Sequence, residues 1–309
     1  MEHIQVLIAG GGIAGLSAAI WCQRLGLSCL LIEKTDRLGG QLHHIYNEIT
    51  DFPPLVYDQG AALVKVLIAH PYIQQPNIRL NEAILSIDRE TKQVITSKSV
   101  YRVDYLLIAT GVGWNEIPAL ADCPSVLSPW FSTTAQAHSI AGQDIAVIGG
   151  GDRALESAAN LSFHARQVYL LVRSSGLRAR PEWQKKITGQ PNIQVLWETQ
   201  VSDYQEEEAR TVLTLTSTRA GNPQTIAVDW ILPRIGVHGN TAGLEGLDTF
   251  GDDYLQTDSY QRVNSPWIYA VGDVSNGAAY ASLSLAVGQA MKAVKHISLQ
   301  IQNNRSKSL

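Results

Sequence analysis

The sequence is poor in the residues that build disulfide frameworks and metal clusters. Its 309 residues include three cysteines, Cys22, Cys29 and Cys123, which are widely spaced and form no C-x-x-C pair. Cys22 falls late in a predicted helix and Cys29 opens the next predicted strand, so both are expected to be buried as small hydrophobic residues. The sequence therefore predicts neither a disulfide framework nor a metal site.

Long apolar runs and a basic surface are also missing. No stretch reaches the roughly 18 apolar residues of a membrane span. The apolar N-terminus carries Glu2 and is interrupted by three glycines, unlike a secretory signal. The formal net charge is −4, and no basic stripe is interleaved with aromatic residues. We therefore expect a cytoplasmic protein that binds a small ligand and no nucleic acid.

The composition is that of an ordinary folded protein in which glycines form clusters. Hydrophobic residues make up 45% and charged residues 17%, and the length fits about two domains. Glycine triplets at 10–12 and 149–151 each follow an apolar run and precede a helix-like segment. This arrangement is typical of dinucleotide-binding turns.

The first triplet lies in a predicted βαβ unit. The run IQVLIAG leads into GGGIAGL and a helix over SAAIWCQRL, and the strand SCLLIE ends at Glu33. Gly10 allows a tight turn, Gly12 lets the backbone approach a pyrophosphate, and Gly15 lets the helix pack on the strand. An acid at the position of Glu33 hydrogen-bonds an adenosine ribose. The unit therefore predicts a dinucleotide site.

The pattern recurs from residue 144, as a weak internal repeat. Gly149 and Gly151 form the turn, and Ala154 takes the third glycine position, which the motif tolerates. Val172 occupies the place of the acid. The residues that follow it include Arg173, Arg178 and Arg180. Arginine suits a 2′-phosphate, so NADP(H) is favoured over NAD(H); the alternative is that these arginines lie on a solvated helix face or loop.

We predict an α/β fold with two Rossmann-like, three-layer ββα dinucleotide-binding domains, the second inserted into the first. Gly, Pro and Asn accumulate near residues 114–120 and 234–246, where the chain is expected to cross between domains. The first domain is predicted over 1–116 and 246–309, and the second over 117–245.

The returning segment completes the first domain. A predicted strand delivers Gly272 and Asp273, and a long helix begins at about Ser282. Small residues on one face of this helix favour close packing. They are Ala286, Ala290 and Ala293.

Six motifs together resemble the low-molecular-weight thioredoxin reductases. GGGIAGLSAA, GGQL, LLIATG, VIGGGD, IGVHGNTAGLEG and YAVGD occur in the order and at roughly the spacing of that family. The resemblance covers nearly the whole chain and is specific to two-domain flavoproteins that bind FAD and a pyridine nucleotide. It implies an FAD-dependent oxidoreductase, and relatives of this kind are commonly homodimers.

The resemblance implies that FAD occupies the first domain, with ribose on Glu33, flavin near Gln41 and Asp51, and the ribityl chain on Asp273. The positive end of the following helix stabilises negative charge on a reduced flavin. The implied FAD-site residues are Gly10, Gly12, Ile13, Ala14, Gly15, Glu33, Lys34, Gly40, Gln41, Leu42, Asp51, Thr110, Gly111, Gly272, Asp273, Tyr280, Ala281 and Ser282. The implied second-site residues are Gly149, Gly151, Asp152, Arg153, Ala154, Arg173, Arg178 and Gly236.

The chain departs from this family at the redox-active disulfide. Ser132 and Ala135 stand at the two cysteine positions and cannot form a disulfide, so thioredoxin reduction by the usual route is not expected. Tyr280 and Ala281 replace an Arg-Gln pair, and Tyr280 is expected to plug the flavin site or to stack near the ring. Arg153 replaces a small residue and suits either a phosphate-bearing ligand or a surface ion pair.

Two branches of the family remain compatible with a missing dithiol. The ferredoxin (or flavodoxin) NADP reductases keep both nucleotide sites, whereas the cyanobacterial diflavin-linked relatives hold a second FAD in place of NADPH. After the second nucleotide strand the family has His-Arg-Arg, whereas this chain has Val-Arg-Ser at residues 172–174. The loss of one arginine weakens a 2′-phosphate site. A second FAD therefore stays open as an alternative.

Candidate catalytic residues near the flavin are Asp51, His43 and Tyr280. His43 and His44 could carry protons to or from the flavin or an acceptor. The alternative is that the two histidines only form part of a polar turn. Trp130 and Phe131 precede the vacated cysteine positions and either cover a cofactor face or pack in the core.

The sequence as a whole predicts an FAD oxidoreductase that passes reducing equivalents between NADPH and a non-dithiol acceptor. Candidate acceptors are a ferredoxin, a flavodoxin, a quinone or another small molecule. The alternatives are a diflavin oxidoreductase that does not use NADPH and a non-catalytic flavin- or nucleotide-binding sensor.

Overall fold

A computed structural model describes residues 1–73, 77–217, 219 and 223–307. The chain forms two compact units: the first contains residues 1–113 and the chain from 237 onward, and the second contains residues 114–236. The second unit is inserted into the first, as predicted. The chain returns to the first unit after Gly236, inside the segment 234–246 and before the domain bound of 246 given above. Asn240 then hydrogen-bonds both Thr110 and Gly111 within the first unit.

The first unit contains a seven-stranded sheet. Its strands are β1 (Glu2–Ala9), β2 (Cys29–Glu33), β3 (Ile78–Leu80), β4 (Ile84–Asp88), β5 (Gln93–Thr96), β6 (Val100–Ile108) and, later in the chain, β18 (Ile268–Ala270). Six of them follow the order β3-β2-β1-β6-β5-β4, and β18 pairs with the end of β6. The strands β1, β2, β3, β6 and β18 are parallel, whereas β4 and β5 form an antiparallel extension that joins the beginning of β6.

Helices cover this sheet and bury a single core. They are α1 (Ile13–Arg24), α2 (Gly60–Ile68), the four-residue α5 (Asp273–Asn276) and α6 (Leu283–Lys307). Helices α1 and α6 pack against each other, and Ala286, Ala290 and Ala293 are buried as the small-residue face predicted. Short strands complete the unit and its connections: β7 (Val112–Trp114) pairs with β15 (Val237–Gly239), and β16 (Thr249–Phe250) with β17 (Tyr254–Leu255).

The second unit has three layers. Its elements are β8 (Asp144–Ile148), α3 (Asp152–Ser162), β9 (Gln167–Val172), α4 (Pro181–Thr188), β10 (Ile193–Trp197), β11 (Thr199–Glu207), β12 (Arg210–Ser217), β13 (Gln224–Val228) and β14 (Trp230–Pro233). A parallel sheet has the order β10-β9-β8-β14, and an antiparallel sheet has the order β11-β12-β13. Alternate residues of β8 face opposite layers: Ile145 and Val147 pack with α3, and Ala146 and Ile148 with the antiparallel sheet.

Cys22 and Cys29 are buried, as predicted, and Cys123 is buried as well; all three are free cysteines. A hydrogen bond between the thiols of Cys22 and Cys29 raises the pKa of Cys22 and lowers the pKa of Cys29. Within the described part of the chain, no helix is long and apolar enough to cross a membrane, and no group of three or more His, Cys, Asp or Glu side chains is arranged to hold a metal ion.

Candidate functional site

The first glycine turn joins β1 to α1 and leaves space for a ligand. A side chain at Gly15 would clash with the carbonyl oxygen of Gly10, so the close approach of helix and turn requires glycine. At Gly12, by contrast, no described atom lies within 4 Å of where a Cβ atom would stand. Ile13 and Ala14 form the buried first turn of α1. The turn therefore offers open backbone N–H groups at a helix N-terminus, the geometry that binds a pyrophosphate.

Glu33 ends β2 beside this turn. Its side chain is buried, at 6% exposure, and its Oε2 atom accepts a hydrogen bond from the backbone N–H of Gly11 at 2.6 Å. Its Oε1 atom accepts from both the backbone N–H and the hydroxyl of Thr35, each at 2.8 Å. These bonds fix the carboxylate, which has further lone pairs for a ribose hydroxyl. Lys34, the next residue, is exposed.

The GGQL turn packs on the first glycine turn. The backbone N–H of Gly39 donates to the carbonyl oxygen of Gly11 at 2.8 Å, and a Cβ atom at Gly40 would lie 3.3 Å from the Cα atom of Gly12. Gln41 donates to the carbonyl oxygen of Val112 at 3.1 Å. Leu42 is buried. Gly40 and Gln41 are thus held next to the predicted pyrophosphate position.

The two histidines after this turn differ in environment. The Nε2 atom of His43 lies 2.7 Å from the carbonyl oxygen of Leu38, so this nitrogen belongs to the turn itself. Desolvation, with smaller contributions from the charges of Arg37 and His43, lowers the pKa of His44. His44 is therefore largely neutral at pH 7.

Asp273 begins α5 at the end of β18 and is the strongest evidence for a bound group. Its Oδ1 atom is buried and has no hydrogen-bond partner among the described residues, which is rare for a buried carboxylate oxygen. Burial raises the pKa of this carboxyl, and hydrogen bonding to the backbone of Ser282 and to Asn276 partly offsets the rise. A hydroxyl donor would complete the site, so the residues present fit the ribityl chain of an FAD.

Asp51 and Tyr280 lie on exposed segments of the same unit. The carbonyl oxygen of Asp51 accepts a hydrogen bond from the hydroxyl of Ser284 at 3.2 Å, which ties this loop to the start of α6. The side chain of Tyr280 is 72% exposed. Tyr280 is therefore not buried as a plug in this structure. Ala281 is exposed beside it, and the hydroxyl of Ser282 accepts from the backbone N–H of Leu285 at 3.4 Å.

Several polar residues of this unit were missed at the sequence level. The hydroxyl of Thr110 donates to the carbonyl oxygen of Asn240 at 2.7 Å, and the Asn240 amide donates back to the carbonyl oxygen of Thr110 at 2.9 Å. Asn240 lies in the motif IGVHGNTAGLEG, and this motif is the sequence feature that could have identified it. Asn276 and Gln289, by contrast, have no motif that marks them.

The second glycine turn joins β8 to α3 and repeats the first. The backbone of Gly149 lies against the carbonyl of Arg234, and no described atom lies within 4 Å of a Cβ position at Gly151. Ala154 is fully buried in the first turn of α3. Gly236 has a positive φ of 98° and accepts a hydrogen bond from the backbone N–H of Asn115 at 3.2 Å.

The arginines near this turn have separate roles. The side chain of Arg180 donates to Asp152 at 2.6 Å, and the backbone N–H of Arg180 donates to the same carboxylate at 2.7 Å. The backbone of Arg178 donates to the carbonyl oxygen of Gly150 at 2.8 Å, which brings its loop back to the turn. Arg180 is therefore engaged with Asp152, and the side chains of Arg173 and Arg178 are exposed near the same turn.

Arg153 is stacked on an aromatic ring. Its guanidinium carbon lies 4.3 Å from the centre of the Trp114 ring, which in turn meets Trp130 edge-on at 5.3 Å. Desolvation lowers the pKa of Arg153. The cation–π contact is an alternative use of this cation that the sequence did not indicate.

The segment at the vacated cysteine positions is a hydrogen-bonded turn. The Ser132 hydroxyl accepts from the backbone N–H of Ala135 at 3.1 Å, and Gln136 accepts from the backbone N–H of Ser132 at 2.9 Å. Phe131 packs against the core of the second unit. Buried Arg234 donates to the carbonyl oxygens of Pro129 and Phe131 at 3.0 and 2.7 Å. The turn is therefore held by hydroxyl, amide and guanidinium groups.

The family model of the pyridine nucleotide-disulphide oxidoreductases matches residues 4–296. The chain belongs to this family. Family membership is compatible with both glycine turns described above. The motifs that resembled thioredoxin reductases had pointed to the same group.

The relatives within this family carry different names. The chain is 28% identical to the ferredoxin–NADP reductase of Lactococcus lactis subsp. cremoris, with 98% of this chain and 96% of that protein covered. It is 27% identical to a component of the alkyl hydroperoxide reductase of Staphylococcus epidermidis and 26% to an NADH dehydrogenase of Ferdinandcohnia aciditolerans, over 89% and 93% of its own length. The chain spans about half the length of these last two, with 55% of each covered.

Solved structures confirm the fold. The thioredoxin reductase of Lactococcus lactis has a TM-score of 0.78 at 23% identity, covering 95% of this chain and 97% of that one. The bacillithiol disulfide reductase Bdr of Bacillus cereus has a TM-score of 0.79 at 20% identity, covering 97% and 100%. The predicted α/β fold with two Rossmann-like units is therefore correct.

Proposed function

We propose that the first unit binds FAD and the second unit binds NADP(H), and that the protein passes reducing equivalents between NADPH and an acceptor other than a dithiol. The observation that carries this proposal is the contrast between the two glycine turns. One is flanked by the buried acid Glu33 and by unsatisfied Asp273, whereas the other is followed by exposed Arg173 and Arg178. An acid suits a ribose diol, and arginine suits a 2′-phosphate.

The residues of the first unit position and tune the cofactor. When bound, FAD supplies a ring that accepts a hydride from a reduced nicotinamide and releases electrons to an acceptor. The open turn at Gly12 holds the pyrophosphate, Glu33 holds the ribose, and Asp273 accepts from a ribityl hydroxyl. The N-terminus of α6 contributes positive potential, which stabilises the anionic reduced state.

The acceptor is a small redox protein or small molecule. Ser132 and Ala135 cannot take electrons, and the turn that contains them is held by its own hydrogen bonds. The full-length similarity to a protein named ferredoxin–NADP reductase supports a ferredoxin or flavodoxin as the first acceptor to test. A quinone is the second acceptor to test.

The test is a flavin count on the purified protein, followed by anaerobic titration with NADPH and with NADH. We expect one FAD per chain, bleached by NADPH at lower concentration than by NADH, and reoxidised by ferredoxin, flavodoxin or a quinone. Two flavins per chain with no bleaching would support the diflavin alternative instead. Bound flavin that neither bleaches nor turns over with artificial acceptors would indicate a sensor.

A further inference from the structure

The guanidinium of Arg153 is held by an aromatic stack in the second unit. Its central carbon lies 4.3 Å from the centre of the Trp114 ring. Trp130 supports that ring edge-on, with the two ring centres 5.3 Å apart. The side chain of Arg153 is nevertheless exposed, so its N–H groups can reach a ligand while one face of the cation rests on Trp114.

The charge of Arg153 is not neutralised by a neighbour in contact with it. Among the described residues, none accepts a hydrogen bond from this guanidinium or forms an ion pair with it. The adjacent carboxylate of Asp152 is engaged with the side chain and the backbone N–H of Arg180, at 2.6 and 2.7 Å. Glu156, three positions further along α3, acts on Arg153 only as a charge at longer range. The guanidinium therefore keeps its capacity to donate hydrogen bonds to an anion.

A second cation increases the positive charge at this place. Buried Arg234 donates to the hydroxyl of Ser157 at 3.1 Å and to two backbone carbonyl oxygens, none of which carries a negative charge. Burial, and after it the charge of Arg153, lowers the pKa of Arg234 to about 10. The two guanidinium groups thus repel each other in the protein without a ligand, and their combined potential attracts an anion.

Both arginines are adjacent to the second glycine turn. Arg153 is the second residue of α3, and the backbone of Arg234 lies against Gly149. No described atom lies within 4 Å of a Cβ position at Gly151, the residue before α3. Under the proposed function this turn receives a dinucleotide pyrophosphate. A phosphate at the turn would offset the repulsion between the cations and accept two parallel hydrogen bonds from the planar guanidinium.

We propose that Arg153 binds the pyrophosphate of the dinucleotide in the second unit, and that Trp114 is a positioning residue for its guanidinium. The stack holds the flat cation in place before the ligand arrives, which reduces the side-chain entropy lost on binding. Because NADPH and NADH share the pyrophosphate, Arg153 contributes affinity for both cofactors, and Arg173 and Arg178 provide the selectivity for the 2′-phosphate. This inference rests on dinucleotide binding in the second unit, which forms part of the proposed function.

The experiment measures by calorimetry the dissociation constants of full-length variants for NADP⁺, ADP-ribose and 2′-AMP. ADP-ribose contains the pyrophosphate without the 2′-phosphate, and 2′-AMP contains the 2′-phosphate without the pyrophosphate. The variants are Arg153→Gln, Trp114→Leu and Trp114→Phe. Lys186→Gln is the matched control, because its ammonium also stacks on a tryptophan of the second unit, 4.0 Å from the centre of the Trp183 ring.

We expect Arg153→Gln to weaken the binding of NADP⁺ and of ADP-ribose by the same factor, about tenfold or more, the effect of one charge-assisted hydrogen bond. The affinity for 2′-AMP should stay within about twofold of wild type. Trp114→Leu should weaken ADP-ribose binding about threefold, and Trp114→Phe should restore most of this loss because it keeps an aromatic face for the cation. Lys186→Gln should leave all three dissociation constants within about twofold.

Three other results contradict the inference. An unchanged affinity of Arg153→Gln for ADP-ribose would overturn it, and the stack on Trp114 would then be a packing contact alone. A loss confined to NADP⁺ and 2′-AMP would also overturn it, because Arg153 would then bind the 2′-phosphate. If wild-type protein binds none of the three ligands, dinucleotide binding in the second unit fails and the inference falls with it. Circular dichroism and urea unfolding of each variant identify any loss of binding that is caused by misfolding.

Discussion

The guanidinium of Arg234 donates a hydrogen bond to the carbonyl oxygen of Phe131 at 2.7 Å, immediately before the turn at the vacated cysteine positions. Arg234 is 7% exposed, and it also bonds Pro129 and the hydroxyl of Ser157. Burial, together with the nearby charge of Arg153, lowers the pKa of Arg234 to about 10. The turn is therefore connected to the interior of the second unit through one buried cation.

We expect Arg234→Met to destabilise the second unit by about 2–3 kcal/mol, because it leaves carbonyl oxygens unpaired in the interior. Tryptophan fluorescence during urea unfolding measures this, since five of the seven tryptophans lie in residues 114–236. Arg219→Met is the matched control, because Arg219 is exposed and pairs with Glu198 at the surface. Equal effects of the two substitutions would contradict the assigned role of Arg234.

Asp144 gives a prediction about pH. Hydrogen bonds from Arg166, at 2.7 and 2.8 Å, and from Arg210 hold the pKa of this buried carboxyl below its ordinary value of 3.8, with Arg166 the largest contribution. Because the pKa of this carboxyl is lower in the folded state than in the unfolded state, its ion pairs stabilise the protein at pH values above the pKa of the unfolded state. This stabilisation is lost as the pH falls through the pKa of the folded state.

Asp144→Asn should therefore cost about 3 kcal/mol of stability in the second unit at neutral pH. The difference in the free energy of unfolding between Asp144→Asn and wild type should decrease steadily below about pH 4, where the carboxyl of the unfolded chain is protonated. Urea unfolding followed by tryptophan fluorescence between pH 7 and pH 3 measures the difference. A difference in the free energy of unfolding that stays constant across this pH range would show that the charge of the Asp144 carboxylate does not cause the loss of stability.

The fold was predictable because its signals are local. Apolar runs before both glycine triplets, the acid at Glu33 and the small-residue face of α6 each follow from residues a few positions apart. The pairs Arg180–Asp152 and Asn276–Gln289 were not predictable, since they join residues that only the folded turns bring together. The hydrogen bond between Asn240 and Thr110 was not predictable for the same reason, since it joins residues 130 positions apart in the sequence.

The open positions of the two glycine turns allow binding to be separated from folding. Gly12 has φ −75° and open space around its Cβ position, so Gly12→Ala should keep the fold while its methyl group blocks the pyrophosphate. We expect the purified variant to carry less than about a tenth of the wild-type flavin, at unchanged circular dichroism. Retention of full flavin content would place the cofactor elsewhere.

Gly151→Ala is the equivalent change in the second unit, with φ −97° and no described atom within 4 Å of the Cβ position. It should keep the flavin content and weaken NADPH binding at least about tenfold, because only the second turn is blocked. Anaerobic titration of the bound flavin measures this. Loss of flavin from Gly151→Ala would instead support the diflavin alternative.

Under the proposed function, the exposed side chains of Arg173 and Arg178 select NADPH over NADH. A charge-assisted hydrogen bond to a phosphate contributes about 1.5–3 kcal/mol, so Arg173→Gln and Arg178→Gln should each raise the KM for NADPH about tenfold or more. NADH lacks the 2′-phosphate, and its KM should stay within about twofold of wild type.

Arg180→Gln is the informative comparison, because the side chain of Arg180 pairs with Asp152 and Glu182. Its effect should fall on NADPH and NADH alike, through the displaced Asp152 at the start of α3. Equal losses for both cofactors in all three variants would mean that the arginines support the turn and do not read the phosphate.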